Sequence, residues 1–158
     1  MKIKINYILS AVCAVLMLLI VASVWQPVHF DNERKERESA VIERLCEIRR
    51  AESVYLKRHG RFATSIKQLV DENLIGKGHD TVPFSGGKSF EIAVTVFTGK
   101  SGHPSPVMEC GATFSDYLTG LDENKIKELT EEANLRGEYP GLKFGDITTP
   151  NNNAGNWE

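Results

Sequence analysis

Histidines and two Gly-Lys-Ser triplets are the first residues in this chain that could bind a metal or a phosphate. The histidines are His29, His59, His79 and His103. They are far apart, and none has a cysteine or second histidine at the spacing of paired zinc ligands. The triplets end like a phosphate-binding loop, but the first glycine of that motif would fall at Val82 and Val94. We therefore predict no metal site, no cofactor site and no catalytic residue from these patterns, and we interpret the triplets, Gly87-Lys88-Ser89 and Gly99-Lys100-Ser101, as turns at the two ends of a strand.

Glu52 is the best candidate for an acid or a base, because it interrupts an apolar stripe. At about 100° per residue, the stripe occupies one narrow arc of a helix. Its members are Val41, Leu45, Ile48, Tyr55, Leu56 and His59, with Ile42 at the edge. Two readings stay open. Either the carboxylate pairs with Arg49 or with a backbone group of a packed sheet, or it is a buried functional acid. In the second case, an enzyme or ligand site would be built from the scattered residues Glu52, His59 and Glu109.

Cys46 and Cys110 are single thiols, the first on the flank of a predicted helix and the second in a predicted strand. Outside the cytoplasm they could form a disulfide, and the alternative is two unpaired, partly buried thiols. A catalytic cysteine would need a histidine and an orienting group beside it, and the sequence indicates neither. Cys13 follows Val12 inside an apolar run, which argues against lipidation.

The stretch from Glu33 to Val70 predicts a long helix followed by a short one. Gly60 is expected to end the first helix, because glycine readily takes the left-handed conformation that closes a helix. Ser65 and Gln68 make a Ser-x-x-Gln capping box for the second helix. That helix is expected to end at the glycines in positions 76 and 78 and to present three apolar side chains, Ile66, Leu69 and Val70.

The rest of the chain predicts a small antiparallel sheet and one further helix. Phe90 to Phe97 alternates as a half-buried strand does, and Val107 to Thr113 is a natural return strand. We expect the long helix to cover the inner face of this pair. The face predicted to be buried carries Phe90, Ile92, Val94 and Val96. Leu121 to Leu135 predicts a helix and Leu142 to Thr148 a last strand, so the fold class is α+β.

The N-terminal segment is interpreted as a membrane anchor. Tyr7 to Trp25 contains no charged residue over about 19 positions, the length that a helix needs to cross a hydrocarbon core. Lys2 and Lys4 precede it, and Trp25 would lie at interface depth. We expect an uncleaved signal anchor that leaves the rest of the chain outside the cytoplasm. The alternative is cleavage near Ser23 and release of a secreted soluble domain, although the apolar run is longer than in most signal peptides.

Length and charge bound the organisation of the 158-residue chain. We predict a membrane anchor in residues 1–28, one α+β head domain in 29–150 and an Asn-rich tail in 151–158. Asp31 to Val70 carries ten Lys and Arg against seven Asp and Glu, whereas Asp71 to Glu158 carries seven against 14. This asymmetry favours attraction between the long helix and the rest of the head. Nucleic-acid binding is not predicted, because no basic cluster is interleaved with exposed aromatic residues.

The first 75 residues or so resemble the stalk-to-head passage of pilin and pseudopilin-like proteins. The resemblance rests on an N-terminal apolar span followed by three motifs: Ala51-Glu-Ser-Val-Tyr55, Lys57-Arg-His-Gly-Arg-Phe62 and Ser65-Ile-Lys-Gln-Leu69. It implies a stalk helix, a Gly-basic-aromatic turn and a short helix packed on an antiparallel sheet. Pilin-like precursors also carry a leader that ends in glycine and a glutamate at the fifth position of the apolar run. This chain has neither, so processing by a prepilin peptidase is not implied.

The C-terminal half resembles a family of single-span envelope proteins of Gram-negative bacteria, a likeness that implies no particular activity. Its motifs are Tyr139-Pro-Gly-Leu-Lys143 and the ending Asn151 to Glu158. Some pseudopilin-like heads hold calcium in a C-terminal loop, and this tail supplies oxygen atoms at Asp146, Asn151, Asn152, Asn153 and Asn156. The spacing does not match an EF-hand, and turns and caps are the alternative use of such residues. Trp157 predicts either a tail docked on its own domain or a recognition peptide.

Together these observations predict a single-pass inner-membrane protein whose C-terminal domain faces the periplasm. We expect a structural or protein-interaction role in the envelope rather than an enzymatic one, with the lipid bilayer and other envelope proteins as partners, and we consider a pilin-like component of a secretion or surface assembly. The alternatives are a small-ligand binder or enzyme with a scattered site and a secreted domain released by signal cleavage.

Overall fold

The computed structural model describes residues 5–98 and 103–158, and it describes no side chain at residues 5, 6 and 22–27. The described elements are, in chain order, α1 (Ile5–His59), α2 (Ile66–Asp71), β1 (Glu91–Thr98), β2 (Pro104–Thr113), α3 (Phe114–Tyr117), α4 (Glu123–Leu135) and β3 (Gly141–Gly145). The chain divides into two compact units, residues 1–35 and residues 36–158. The predicted α+β class is confirmed.

The first unit contains the N-terminal part of α1. Between Tyr7 and Val21 the side chains on every side of the helix are exposed, with relative exposures from 49% at Val12 to 72% at Met17 among the large apolar ones. Among the described residues, no helix combines the length and the apolar character needed to cross a membrane. The last part of the predicted span Tyr7 to Trp25, from residue 22 to residue 25, has no described side chains.

In the second unit, the C-terminal part of α1 carries the predicted apolar stripe. Val41, Leu45 and Ile48 are completely buried and Tyr55 is nearly so, whereas Leu56 is half-buried and His59 is exposed. The helix ends at Gly60 as predicted: its φ is +69° and its N–H donates to the Leu56 carbonyl over 2.8 Å. The stripe is therefore apolar only as far as Tyr55, because the last turn of the helix lies at the surface.

The short helix α2 begins and ends differently from the prediction. Ser65 is its N-cap but makes no side-chain cap bond. Gln68 instead bonds with Thr64, accepting from its N–H over 3.0 Å and donating to its Oγ1 over 3.1 Å. The predicted Ser65–Gln68 capping box is thus wrong by one residue. The helix also ends before the glycines at 76 and 78, because Asn73 takes the left-handed conformation, with φ +55°.

The three strands form one antiparallel sheet in the order β1-β2-β3. The predicted strand pair is confirmed, with Val94 opposite Met108 and Ile92 opposite Cys110. Since alternate residues of a strand point to opposite faces, one face of the sheet carries Met108, Cys110, Ala112 and Phe144, all essentially buried. This face is called the inner face; it approaches α1 at Cys110, whose thiol lies close enough to Glu52 to be affected by its charge.

The predicted burial of the first strand holds at its start and fails at its end. Phe90 is buried and Ile92 and Val94 are half-buried, but Val96 is 63% exposed. Val96 pairs with Pro106 near the tip of the β1–β2 hairpin. The alternation is correct, so the difference arises because the buried part of the inner face is centred on β2 and β3.

The C-terminal elements follow the predicted order with shifted ends. Helix α4 starts at Glu123 rather than Leu121, because the Asp122 side chain caps it by accepting from the backbone N–H groups of Asn124 and Lys125. The last strand ends at Gly145 rather than Thr148. The four-residue helix α3, capped by a Thr113–Asp116 box, was not predicted. Its shortness explains why hydrophobic periodicity could not indicate it.

The tail docks on its own domain, which is one of the two outcomes considered for Trp157. A β-bridge joins Gly155 to Phe144, and the Gly145 N–H donates to the Ala154 carbonyl over 3.0 Å. The Asn156 side chain accepts from the Lys143 N–H and donates to the Gly141 carbonyl, over 3.1 and 2.9 Å. The tail therefore continues the sheet beyond β3.

Candidate functional site

The scattered site predicted from Glu52, His59 and Glu109 is not assembled. Glu52 is completely buried beneath the inner face of the sheet, whereas Glu109 points to the opposite face, where Lys143 lies 3.1 Å away. His59 lies at the exposed end of α1, 2.7 Å from Glu72. The three side chains thus occupy three separate environments.

Glu52 has one hydrogen-bond partner. Its Oε2 accepts from the backbone N–H of Ala63 over 3.0 Å, and its Oε1 is buried without a donor among the described residues. Burial raises the pKa of Glu52 to about 7, and the bond from Ala63 opposes part of that rise. A carboxylate with such a pKa can hold a proton near neutral pH.

The sequence predicted the type of group that pairs with Glu52, but not its position in the chain. A backbone group was one of the expected partners, but the donor belongs to the turn after α1 and not to the sheet. Arg49, the other expected partner, lies 2.6 Å from Glu158 and also donates to the Asn153 carbonyl. Glu52 therefore fixes the turn of Phe62 and Ala63 against the helix, while Arg49 fixes the tail.

The thiols are all free. A disulfide between Cys46 and Cys110 was one of the two predicted outcomes, but the two thiols are not bonded to each other. Cys13 is exposed on the first unit. Cys110 is buried on the inner face of the sheet. Burial first, and then the negative charge of Glu52, raise the pKa of the Cys110 thiol. A thiol held protonated in this way is a poor nucleophile.

Two histidines tie the segment after α2 to α1. His79 Nδ1 lies 2.8 Å from a carboxylate oxygen of Glu47, and His59 Nε2 lies 2.7 Å from Glu72. His59 also stacks on Tyr55, with ring centroids 4.2 Å apart. Within residues 5–98 and 103–158, no three side chains of His, Cys, Asp or Glu converge as metal ligands would.

A cleft with a volume of about 580 Å³ lies at the end of the sheet near the tail. It brings together four of the five residues considered as calcium ligands: Asp146, Asn151, Asn152 and Asn153. Asp146 Oδ1, however, accepts from the Thr148 N–H and hydroxyl and from the Thr149 N–H, over 2.6 to 2.9 Å. These bonds lower the pKa of Asp146 to about 2. The carboxylate thus closes a turn, and the amide of Asn156 is engaged with β3.

A smaller cavity of about 200 Å³ lies on the outer face of the sheet, among Glu91, Glu109, Tyr139 and Lys143. The Lys143 ammonium lies 3.1 Å from Glu109 and 5.6 Å from the centre of the Tyr139 ring. Burial, with added repulsion from Glu91 and other acidic groups, raises the pKa of the Tyr139 hydroxyl. Two carboxylates, of Glu91 and Glu109, and one ammonium, of Lys143, line the cavity, so its charge is net negative.

The first Gly-Lys-Ser triplet lies in the turn before β1, as predicted. Ser89 bridges to Thr81, and Lys88 donates to Asp116 over 2.9 Å. The second triplet, Gly99-Lys100-Ser101, lies outside the described residues.

The most extensive exposed apolar surface of the described residues is the helical segment from Tyr7 to Val21. A helix that is apolar on every side is stable when it is buried in a protein core or in a lipid bilayer. This segment, rather than a cluster of polar side chains, is the candidate functional surface of the chain.

Comparison with known proteins gives no relative from which an activity could be transferred: no protein-family model, no curated protein and no solved structure matches the chain.

Proposed function

We propose that the chain is a membrane-anchored envelope protein with a structural or protein-interaction role. The observation that carries this proposal is the contrast along α1. From Tyr7 to Val21 the helix exposes apolar side chains on all sides, whereas from Val41 to Tyr55 it buries one stripe and leaves charged residues on the rest of its surface. The first pattern suits lipid, and the second suits a folded domain with water outside it.

The proposed anchor is Tyr7 to Trp25, an uncleaved signal anchor with the head on the periplasmic side of the inner membrane. The charge rule supports this orientation only weakly, because Lys2 and Lys4 before the span are balanced by Arg34, Lys35 and Arg37 after it. The main support is that short lysine-led spans at an N-terminus usually act as signal anchors. The pilin-like relationship is part of the proposal: the head would belong to a secretion or surface assembly, in contact with other envelope proteins. The long helix, the turn at Gly60 and the antiparallel sheet are features that support it.

The rival function, an enzyme or small-ligand binder, predicts an open polar pocket at Glu52. That carboxylate is instead enclosed by the core, and one backbone N–H is its hydrogen-bond donor. This geometry favours the structural role of Glu52 over a catalytic one.

Membrane insertion can be tested with a topology reporter fused after Glu158 and with alkaline extraction of membranes. We expect reporter activity in the periplasm and retention of the protein in the membrane fraction. Replacing Leu16 and Leu19 by arginine should abolish retention, because each arginine costs about 2.5–3.5 kcal/mol at the centre of a span. The matched control is Leu135→Arg, which changes an apolar side chain that is 89% exposed on the head.

The result that contradicts the anchor is extraction of the wild-type protein as easily as the double-arginine variant. N-terminal sequencing of the mature protein would separate this outcome from signal cleavage near Ser23.

The interaction role has its own test, affinity purification from detergent extracts. Recovery of the protein without envelope subunits would remove the support for that role.

A further inference from the structure

The two edges of the sheet are built differently. At the β3 edge, the tail adds a short strand-like segment through the bridge between Phe144 and Gly155, and the Asn156 side chain bonds two further backbone groups of β3. Backbone groups at this edge therefore have partners within the chain.

The β1 edge carries no such cover among the described residues. Every backbone pairing of Glu91 to Thr98 is with β2, and the nearby bridge between Thr81 and Ser89 ends before the strand begins. Natural edge strands are usually protected by lysine, proline, a bulge or short length. This strand has eight residues, no lysine, no proline and one charge, at Glu91.

The inner face is also incompletely covered along β1. Ile92 and Val94 are half-buried and Val96 is 63% exposed, although all three point to the face that is buried on β2 and β3. An apolar row beside an open row of backbone donors and acceptors is the arrangement to which another strand is added.

We infer that the β1 edge pairs with β1 of a second copy of this chain, antiparallel and centred on Val94. A two-fold axis normal to the sheet keeps the inner faces of both copies on the same side, so residues directly opposite each other must share a face. Centring on Val94 places Ile92 opposite Val96 of the second copy and Val94 opposite itself.

This register is self-complementary in shape and charge. On the inner face it aligns the apolar row of one copy with that of the other, and such β-branched cross-strand pairs stabilise a sheet. On the outer face it places Glu91 opposite Phe97 and Ala93 opposite Thr95, so no like charges meet. The pairing joins two three-stranded sheets into one of six strands and covers Val96.

A second copy is one partner for the interaction role proposed above, yet the pairing depends only on the head. Its failure and the failure of the membrane anchor are distinguishable, because changes at the β1 edge leave the segment Tyr7 to Val21 intact.

The first test is the oligomeric state of the full-length protein in detergent, measured by light scattering over a range of protein concentrations. We expect a dimer whose dissociation constant rises at least about tenfold, or about 1.4 kcal/mol, in Val96→Lys. A lysine at this position is tolerated in the monomer because the side chain is exposed, but it opposes edge pairing. Leu135→Lys is the matched control, another exposed apolar residue changed to lysine but away from the sheet, and it should dimerise like the wild type.

The second test is disulfide cross-linking in membranes. With Cys13 and Cys46 replaced by serine and the buried Cys110 retained, Val94→Cys should form a cross-linked dimer on oxidation, and Thr95→Cys should form much less. The inference is overturned if the wild type is monomeric throughout, if Val96→Lys dimerises like the control, or if Thr95→Cys cross-links better than Val94→Cys. If the wild type is monomeric but binds another protein, and Val96→Lys abolishes that binding, the partner strand comes from another protein.

Discussion

Glu52 makes the stability of the head depend on pH, in the direction opposite to that of an ordinary paired carboxylate. Its pKa is about 7 in the folded protein, because burial disfavours the charged form, against 4.5 for an ordinary glutamate. A group whose pKa is raised on folding binds protons more tightly in the folded state. Its contribution to stability is therefore fully present below pH 4.5 and is lost as the pH rises to 7.

The size of the effect follows from the two pKa values. Their difference corresponds to about 3 kcal/mol, of which about 2.5 kcal/mol should be lost between pH 5 and pH 8. We expect the free energy of unfolding of the full-length protein in detergent to fall by this amount over that range. Urea unfolding followed by tryptophan fluorescence is a suitable measurement, with Trp25 replaced by phenylalanine so that the signal comes from Trp157.

Glu52→Gln isolates the contribution of this carboxylate. Glutamine keeps an oxygen that can accept from the Ala63 N–H but cannot ionise, so the fall between pH 5 and pH 8 should shrink by about 2.5 kcal/mol. Glu128→Gln, on the exposed surface of α4, is the matched control and should keep the wild-type pH dependence. Equal pH dependence in the wild type and Glu52→Gln would refute a raised pKa at this site, whatever the absolute stability of the variant.

Three further predictions concern the sheet, the tail and the turn before α2. Gly111→Ala should lower the free energy of unfolding, measured with urea, by about 1–3 kcal/mol. The reason is that an added Cβ would lie 2.7 Å from the Lys143 side chain and 2.8 Å from the Leu142 carbonyl oxygen. Unchanged stability would contradict this close approach of the strands. Asn156→Ala should increase amide hydrogen exchange in the tail, since it removes two bonds to β3 worth about 1 kcal/mol each, and slow exchange there would contradict this. Thr64→Ala should cost about 0.5–1 kcal/mol, because it removes the hydrogen bond that the Gln68 amide donates to the Thr64 hydroxyl. Ser65→Ala should cost almost nothing, because Ser65 makes no side-chain cap bond. Thermal unfolding compares the two variants, and the reverse order would restore the predicted capping box.

Features with a strong local cause were predictable from the sequence. Gly60 ends α1 because glycine alone takes its left-handed conformation without strain, and the periodic stripe from Val41 to Tyr55 fixes which side of the helix is buried. The strand pair followed from alternation and a Gly- and Pro-rich connection. These outcomes depend on residues close together in the chain.

Features decided by distant packing were not predictable in the same way. The partner of Glu52 is Ala63, because the chain turns back on the helix, and a helical projection cannot show that turn. Val96 has the correct alternation but is exposed, since the extent of cover over β1 depends on where the rest of the head lies. Asp146 and three tail asparagines, considered as calcium ligands, line the same cleft, yet Asp146 is hydrogen-bonded within a turn to Thr148.

The polar residues of the head are used mainly to hold segments together, which favours the proposed role in contacts with other molecules. Five pairs of charged or titratable side chains join distant parts of the chain. They are Glu47–His79, Arg49–Glu158, Glu72–His59, Lys88–Asp116 and Glu109–Lys143. All five are partly exposed, so each alone stabilises the fold only weakly. Their collective effect is to fix the loops and the tail around α1 and the sheet. Apolar side chains remain exposed on the helical surface from Tyr7 to Val21 and at Val96 on the edge of the sheet. Apolar surfaces of this kind are used in contacts with lipid and protein.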